Sequence, residues 1–359
     1  MKKQIFNSLG IAVLTLGIVS CSNNDDSIDN QTQNASLQEV VTNNSNNVII
    51  QTYNTLNQRA LTLKNAIETL ASDKTEANLN AAKTAWSATR VHWEQSEGFL
   101  YGPVDTEGID PAMDTWPVDV EAMNNILNSS ANITVQTLEN NNEARGFHLI
   151  EFLLWGENGQ KTATQITNRQ AELLKAAAQD LQNNTQKLYN GWIPSNGNFV
   201  NNFLNPSAQA YPSFVNVLEE MTEGMIVIAD EVANAKIEDP LNSEGSTPNA
   251  QLEESRFSNN SKTDFADNIR SIQNMYLGTY NGLGNGKGIS VLVAAKNNAL
   301  DTKVKNAINT SISAIEAIPN TFTDAIYNNR AAVTNAQVKV NELHTILNNE
   351  LKPFILNNL

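Results

Sequence analysis

Beyond a polar stretch near its start, the chain places apolar residues three and four apart almost throughout. Ile49, Tyr53, Leu56, Ala60, Leu63, Ile67 and Leu70 form one such stripe, the pattern of an amphipathic helix. Leu79, Ala82, Trp86 and Trp93 predict a second helix, with Ser72, Asp73 and Thr75 as capping candidates at its start. Phe214, Leu218, Met221, Met225, Ile228 and Val232 make a third stripe, and Phe265, Ile269, Ile272 and Tyr276 a fourth. At least two more helices are expected between Ile289 and Leu359. No run alternates as a strand would and no fixed-period repeat is found, so the reading is all-α, built from bundles of antiparallel helices. Two stretches interrupt the pattern. Tyr101 to Asp119 carries three prolines and two glycines and reads as an extended loop. Asp239 to Asn260 is rich in Pro, Gly, Ser and Asn and is the candidate domain boundary.

The segment Arg145 to Gly156 is the most informative. Between Phe147 and Trp155 every position except His148 and Glu151 is apolar, so the helix is apolar all round and should be buried. His148 and Glu151 are three apart and share a face. Two ionisable groups there cost several kcal/mol unless paired, hydrogen-bonded or metal-bound. They are either a His–Glu pair that pins the bundle or two ligands of one cation. A second acidic pair favours ligation. Glu97 falls about 40° around the helix from Trp93, on the apolar stripe, while Glu94 follows Arg90 by one turn. For Glu94 the plain alternative is an exposed Arg90–Glu94 pair worth a few tenths of a kcal/mol. Glu94 and Glu97 brought against His148 and Glu151 would give a carboxylate-rich site with one imidazole. Such a site suits iron, manganese or calcium, with zinc also accommodated. His92 and His344 read as surface or core residues, Glu219, Glu220 and Glu223 as solvated, and Gly282 to Gly288 as a loop without P-loop spacing.

Charge and cysteine content narrow the field. Against 38 Asp and Glu stand 23 Lys and Arg, a net charge of −15, which excludes a generic nucleic-acid binder. The single cysteine excludes an internal disulfide, a cysteine zinc finger and an iron–sulfur cluster. It has another use. Lys2 and Lys3 precede a short apolar run, Ile11 to Val19, and Ile18-Val19-Ser20-Cys21 has the form of a lipobox. Residues 1–20 are thus expected to be a lipoprotein signal peptide, Cys21 the lipidation site and 21–36 a polar tether. Anchoring in the cell envelope, at the outer membrane, follows; Asp25-Asp26 resembles an acidic signal for the outer surface. HExxH and GxSxG, the commonest hydrolase signatures, are missing from the sequence.

Gly146-Phe147-His148-Leu149-Ile150-Glu151 resembles the GxHxxE motif of imelysin-like proteins, and Phe152-Leu153-Leu154-Trp155-Gly156 continues the match. Trp93-Glu94 to Phe99, Asp114-Thr115-Trp116-Pro117-Val118-Asp119 and Glu254-Ser255-Arg256-Phe257-Ser258-Asn259-Asn260-Ser261 resemble further segments of that family in the same order. The resemblance implies two helical-bundle domains, here 37–245 and 246–359, with the site at their interface. It also implies a role in bacterial iron uptake, with iron or an iron complex as partner and iron-transport components nearby. Members are catalogued as metallopeptidases too, so a zinc-dependent endopeptidase is the rival reading; binding is preferred over catalysis. Where some members have a further His, this chain has Lys262, which removes a candidate ligand. Arg145, Ser255, Arg256 and Asp264 are left between two roles, joining the site or holding the domains together. Arginines at such a cleft are also suited to an anionic ligand, a siderophore carboxylate or a peptide C-terminus.

Overall fold

A computed structural model describes residues 24–245 and 247–359, so Cys21 and the signal segment lie outside the described residues. Helix α1 (Asn24–Asn43) runs through a π-helical segment, Asn44–Ile49, into α2 (Ile50–Ser72). Thr75 caps α3 (Glu76–Glu94), its side chain accepting from the Asn78 amide. α4 (Gly146–Trp155) carries the GxHxxE residues, followed by α5 (Asn168–Trp192) and α6 (Phe214–Glu231). A π-helical segment, Val232–Ile237, extends α6. The later helices are α7 (Ser261–Leu277), α8 (Asn298–Glu316) and α9 (Arg330–Ile346). Among the described residues the only extended pairing is an isolated bridge between Tyr280 and Leu283. The protein is all-α, and none of the described helices is long and apolar enough to cross a membrane.

The stripes read from the sequence face one another. α2 packs between α3 and α5, and α4 lies across both α3 and α5. The apolar residues of the α2 stripe, Tyr53, Leu56, Leu63, Ile67 and Leu70, are fully buried, each contributing about 1.5–3 kcal/mol of gross burial. In the second half α8 packs against α7 and α9. α7 also packs on α3, and α6 packs on α9 as well as on the turn at 97–99. That last approach depends on Gly224: a Cβ there would stand 2.3 Å from the Gly98 carbonyl oxygen.

Two expectations are corrected. The stretch from Tyr101 to Asp119 is more ordered than its prolines suggested, with short helices at Pro103–Thr106 and Ile109–Met113. Pro103 starts the first of them, where its missing N–H leaves no bond unmade. The Trp116–Pro117 peptide is cis, and Asp119 caps the next helix by accepting from the Ala122 amide at 2.9 Å. Glu97 does not continue the α3 stripe. α3 ends at Glu94, and Glu97 opens a 3₁₀ turn that packs against α6 and α7.

Candidate functional site

Five segments converge at one end of α3: its last turns, the loop from Glu97 to Trp116, α4, the π segment after α6, and the stretch 253–268. Gly146 sets the angle of α4. Its φ is +73°, and a Cβ would stand 2.2 Å from the Met113 carbonyl oxygen, so only glycine fits there. This brings α4 against the backbone that leads to Asp114.

His148 is fully buried. Its Nδ1 lies 3.0 Å from Glu151 Oε2, while Glu151 Oε1 accepts from the Ser258 amide at 2.8 Å and the Ser258 hydroxyl at 2.7 Å. Glu151 was expected as a ligand; both of its oxygens are engaged, and it stands behind the imidazole and orients it. On the other side, His148 Nε2 faces Asp114 Oδ1 at 3.1 Å and Glu254 Oε1 at 3.7 Å. The Trp116 ring packs edge-on against the imidazole at 4.7 Å.

Arg90 occupies the centre. Its guanidinium pairs with Asp114, lies 2.6 Å from both Glu94 Oε1 and Glu254 Oε1, and its Nε faces Asp264 Oδ2 at 3.7 Å. The Arg90–Glu94 pair is therefore present but wholly buried, not exposed as its one-turn spacing suggested. Asn268 donates to Glu94 at 2.5 Å and to Glu97 at 3.0 Å. Lys236 contacts Glu97 and Glu254, each at 3.0 Å. Trp93 Nε1 donates to Asp114 Oδ2 at 2.6 Å.

The carboxylates fall into two classes. Burial pushes Glu94 and Glu97 well above the usual range, against the pull of Lys236 on both and of Arg90 on Glu94. Burial likewise raises Asp264, to about 7. For Asp114 the same burial is outweighed by Arg90 and the imidazole, which hold it well below its ordinary value. Burial also yields at Glu254, where Lys236, Arg90 and His148 lower it to about 2. Burial would lower His148, but the carboxylates of Asp114, Glu151 and Glu254 raise it. Two sets of side chains converge closely enough to hold a metal ion: Asp114, His148 and Glu254, and Glu94, Glu97 and Asp114. An imidazole nitrogen between two carboxylates, fixed from behind by a third, would once deprotonated be a fitting donor set for a hard or borderline divalent cation.

The other sequence candidates lie apart from this cluster or behind it. Arg145 clasps Asp180 at 2.9 and 2.6 Å and Asn142 at 2.9 Å, tying the start of α4 to α5. Arg256 turns outward to Glu157 at 2.9 Å and lies 4.1 Å from the Phe257 ring. Ser255, with φ of +50°, shapes the turn that aims Glu254 inward. Asp264 backs Arg90. Lys262 donates to the Ile318 carbonyl at 2.6 Å, away from the imidazole. His92 is a core residue, its Nδ1 2.7 Å from the Tyr280 hydroxyl.

Sequence reasoning missed Asp114 and Glu254 as donors, Arg90 as a buried hub, and Lys236 altogether. Arg90 had a readable signal: it lies four residues after Trp86 and three before Trp93, on the apolar stripe. Asp114 and Glu254 sat inside quoted motifs without an assigned role. Lys236 carried no local signal, because the π-helical segment that aims it is a backbone feature.

A family model described as Imelysin matches residues 49–349. The iron-regulated protein A of Synechococcus elongatus is 32% identical over 275 residues, 75% of this chain and 70% of that protein. A candidate iron-regulated protein A precursor from Parabacteroides distasonis superposes with a TM-score of 0.78 at 27% identity, covering 88% of this chain and 94% of that one. An imelysin-like protein from Psychrobacter arcticus shares the fold, with a TM-score of 0.74 at 13% identity over 89% and 96% of the two chains. With the GxHxxE residues at the centre of the converging segments and the family model spanning most of the sequence, the chain belongs to the imelysin family.

Proposed function

We propose that the protein is an exported, lipid-anchored component of the cell envelope that captures iron as cargo, at a site built on His148, Asp114 and Glu254 with Glu94 and Glu97 beside them. The observation that carries this reading is the convergence of His148 Nε2, Asp114 and Glu254, buried and close enough to share one ion, while Nδ1 is committed to Glu151. Buried carboxylates in excess of their bases are costly, and a metal cation would offset that excess. The iron-regulated relative supports the choice of metal by its name. Anchoring rests on the lipobox around Cys21, and the outer membrane is the proposed location.

Binding is preferred to peptide hydrolysis for a reason of geometry. A metal-bound water needs a free general base. Glu151, the acid beside His148 on α4, has one oxygen on the imidazole and the other on Ser258.

The test is metal content by mass spectrometry after purification without chelator and exposure to iron and zinc in competition. Wild type should carry stoichiometric iron, whereas His148→Ala and Glu254→Gln, each confirmed folded by circular dichroism, should carry less than about a tenth as much. Equal metal in all three proteins, or none in the wild type, would overturn the assignment. Chelator-sensitive cleavage of an unfolded protein would favour the zinc endopeptidase.

A further inference from the structure

The two cations among the carboxylates are held in different ways. Arg90 is enclosed: its side chain is wholly buried, faced by four carboxylates, with the Phe147 ring 5.2 Å away. Lys236 enters from the wall of a cleft of about 240 Å³. Its Nζ lies 3.0 Å from Glu97 Oε2, 3.0 Å and 3.2 Å from the two oxygens of Glu254, and 3.8 Å from Glu94 Oε2. Glu254 belongs to the donor set with His148 and Asp114, and Glu94 and Glu97 belong to the other. The ammonium therefore stands where the two sets meet. Further out, the same cleft is lined by Asp110, Glu231 and Asp239.

We infer that Lys236 is the resident counter-ion of the cleft, and that the cargo is an aquated multivalent metal cation that takes the carboxylates from it. This rests on the metal-capture reading above. A lysine ammonium is a compact point charge on a flexible four-carbon stem, so it can leave toward the outer carboxylates, whereas Arg90 is walled in. The exchange favours ions of charge two or more, because a monovalent ion would break the ammonium contacts without adding charge. The same field opposes an anionic iron chelate, which would meet Asp110, Glu231 and Asp239 before the single ammonium. A cation is drawn in by those same groups. Glu94 Oε1 is held by Arg90 and Glu254 Oε2 by Lys236, so departure of the ammonium would free Glu254 and Glu97, and not the arginine-bound oxygen of Glu94, for a metal ion.

Lys236→Met removes the charge and keeps the stem, and Lys236→Gln serves as a second neutral variant. The probes are manganese(II), ferrous iron without oxygen, and ferric citrate as the anionic chelate. Both variants should bind the two free cations about tenfold more tightly than wild type, and ferric citrate should bind none of the proteins. Cation affinity that is unchanged or weaker in the variants overturns the inference and leaves the metal site standing. Ferric citrate bound by wild type and released by Lys236→Met overturns it in favour of an anionic cargo. No cation binding by any of the proteins overturns both this inference and the metal reading. Acylation of Lys236 in the wild type, read by peptide mass spectrometry, tests the displacement without a substitution. Saturating manganese(II) should raise labelling severalfold, and unchanged labelling overturns the inference.

Discussion

Arg90 and Arg145 are both buried arginines that begin in the first half of the chain, yet they are different kinds of object. Arg145 meets one carboxylate, Asp180, through two matched bonds, with Asn142 taking a further N–H. Its charge and geometry are closed. Arg90 meets Asp114, Glu94, Glu254 and Asp264, and those acids turn to His148, Lys236 and Asn268 as well. Around Arg145 each ion has its counter-ion, the economy of a joint between helices. Around Arg90 acids outnumber bases: the carboxylates of Glu94, Glu97, Asp114, Glu254 and Asp264 share Arg90, Lys236 and His148. A surplus of that kind is unfavourable for stability alone, and it is the feature on which the proposed cation site rests.

Substitutions can break this contrast. The largest effect is expected at Arg90→Met, which leaves four acids facing one another inside the protein. A loss of roughly 4 kcal/mol or more is expected in urea unfolding at neutral pH, and a loss under 1 kcal/mol would show that the cluster does not need its central cation. Arg145→Met should cost about 3 kcal/mol, by abandoning Asp180, while iron uptake stays at the wild-type level in the folded protein. Reduced uptake would return Arg145 to the site. The smallest effect belongs to a third cation, half-buried Lys161, whose neighbour is another cation, Lys83. Burial first, and Lys83 second, lower it to about 8. The folded state then binds fewer protons than the unfolded one between pH 8 and its ordinary value of 10.5, so wild-type stability rises with pH across that window. Lys161→Met should remove this rise and add about 1 kcal/mol at neutral pH, the figure being reduced for solvent screening. Thermal melts of the two proteins across the window check it; parallel curves would contradict it.

The helices were legible because their periodicity is a local property. The stripes on α2, α3, α6 and α7 are those that the structure buries, and the apolar ring around His148 and Glu151 marked α4 as internal. The site was legible only where an ionisable residue was read as breaking such a pattern, as His148, Glu151 and Glu97 were. Asp114 lies in a loop where an acid breaks no pattern. Glu254 depends on the positive φ of Ser255 for its direction, and Lys236 depends on a π-helical segment, neither of which composition betrays. Arg145 was left between two roles and Arg90 was read only in an exposed pair, because spacing gives a pair's neighbours but not its depth.

The turn from Glu254 to Ser258 has a consequence for how the molecule comes into being. It sends Glu254 to Arg90, 164 residues earlier, and Ser258 to Glu151, 107 residues earlier. Contacts of such long sequence separation form late. During synthesis, the GxHxxE helix exists well before the partners that orient its histidine and complete its donors. A fragment ending before residue 250 would contain the whole motif yet lack Glu254 and Ser258, so the motif's presence reports ancestry, while the cluster around His148 is assembled only when the second half folds onto the first.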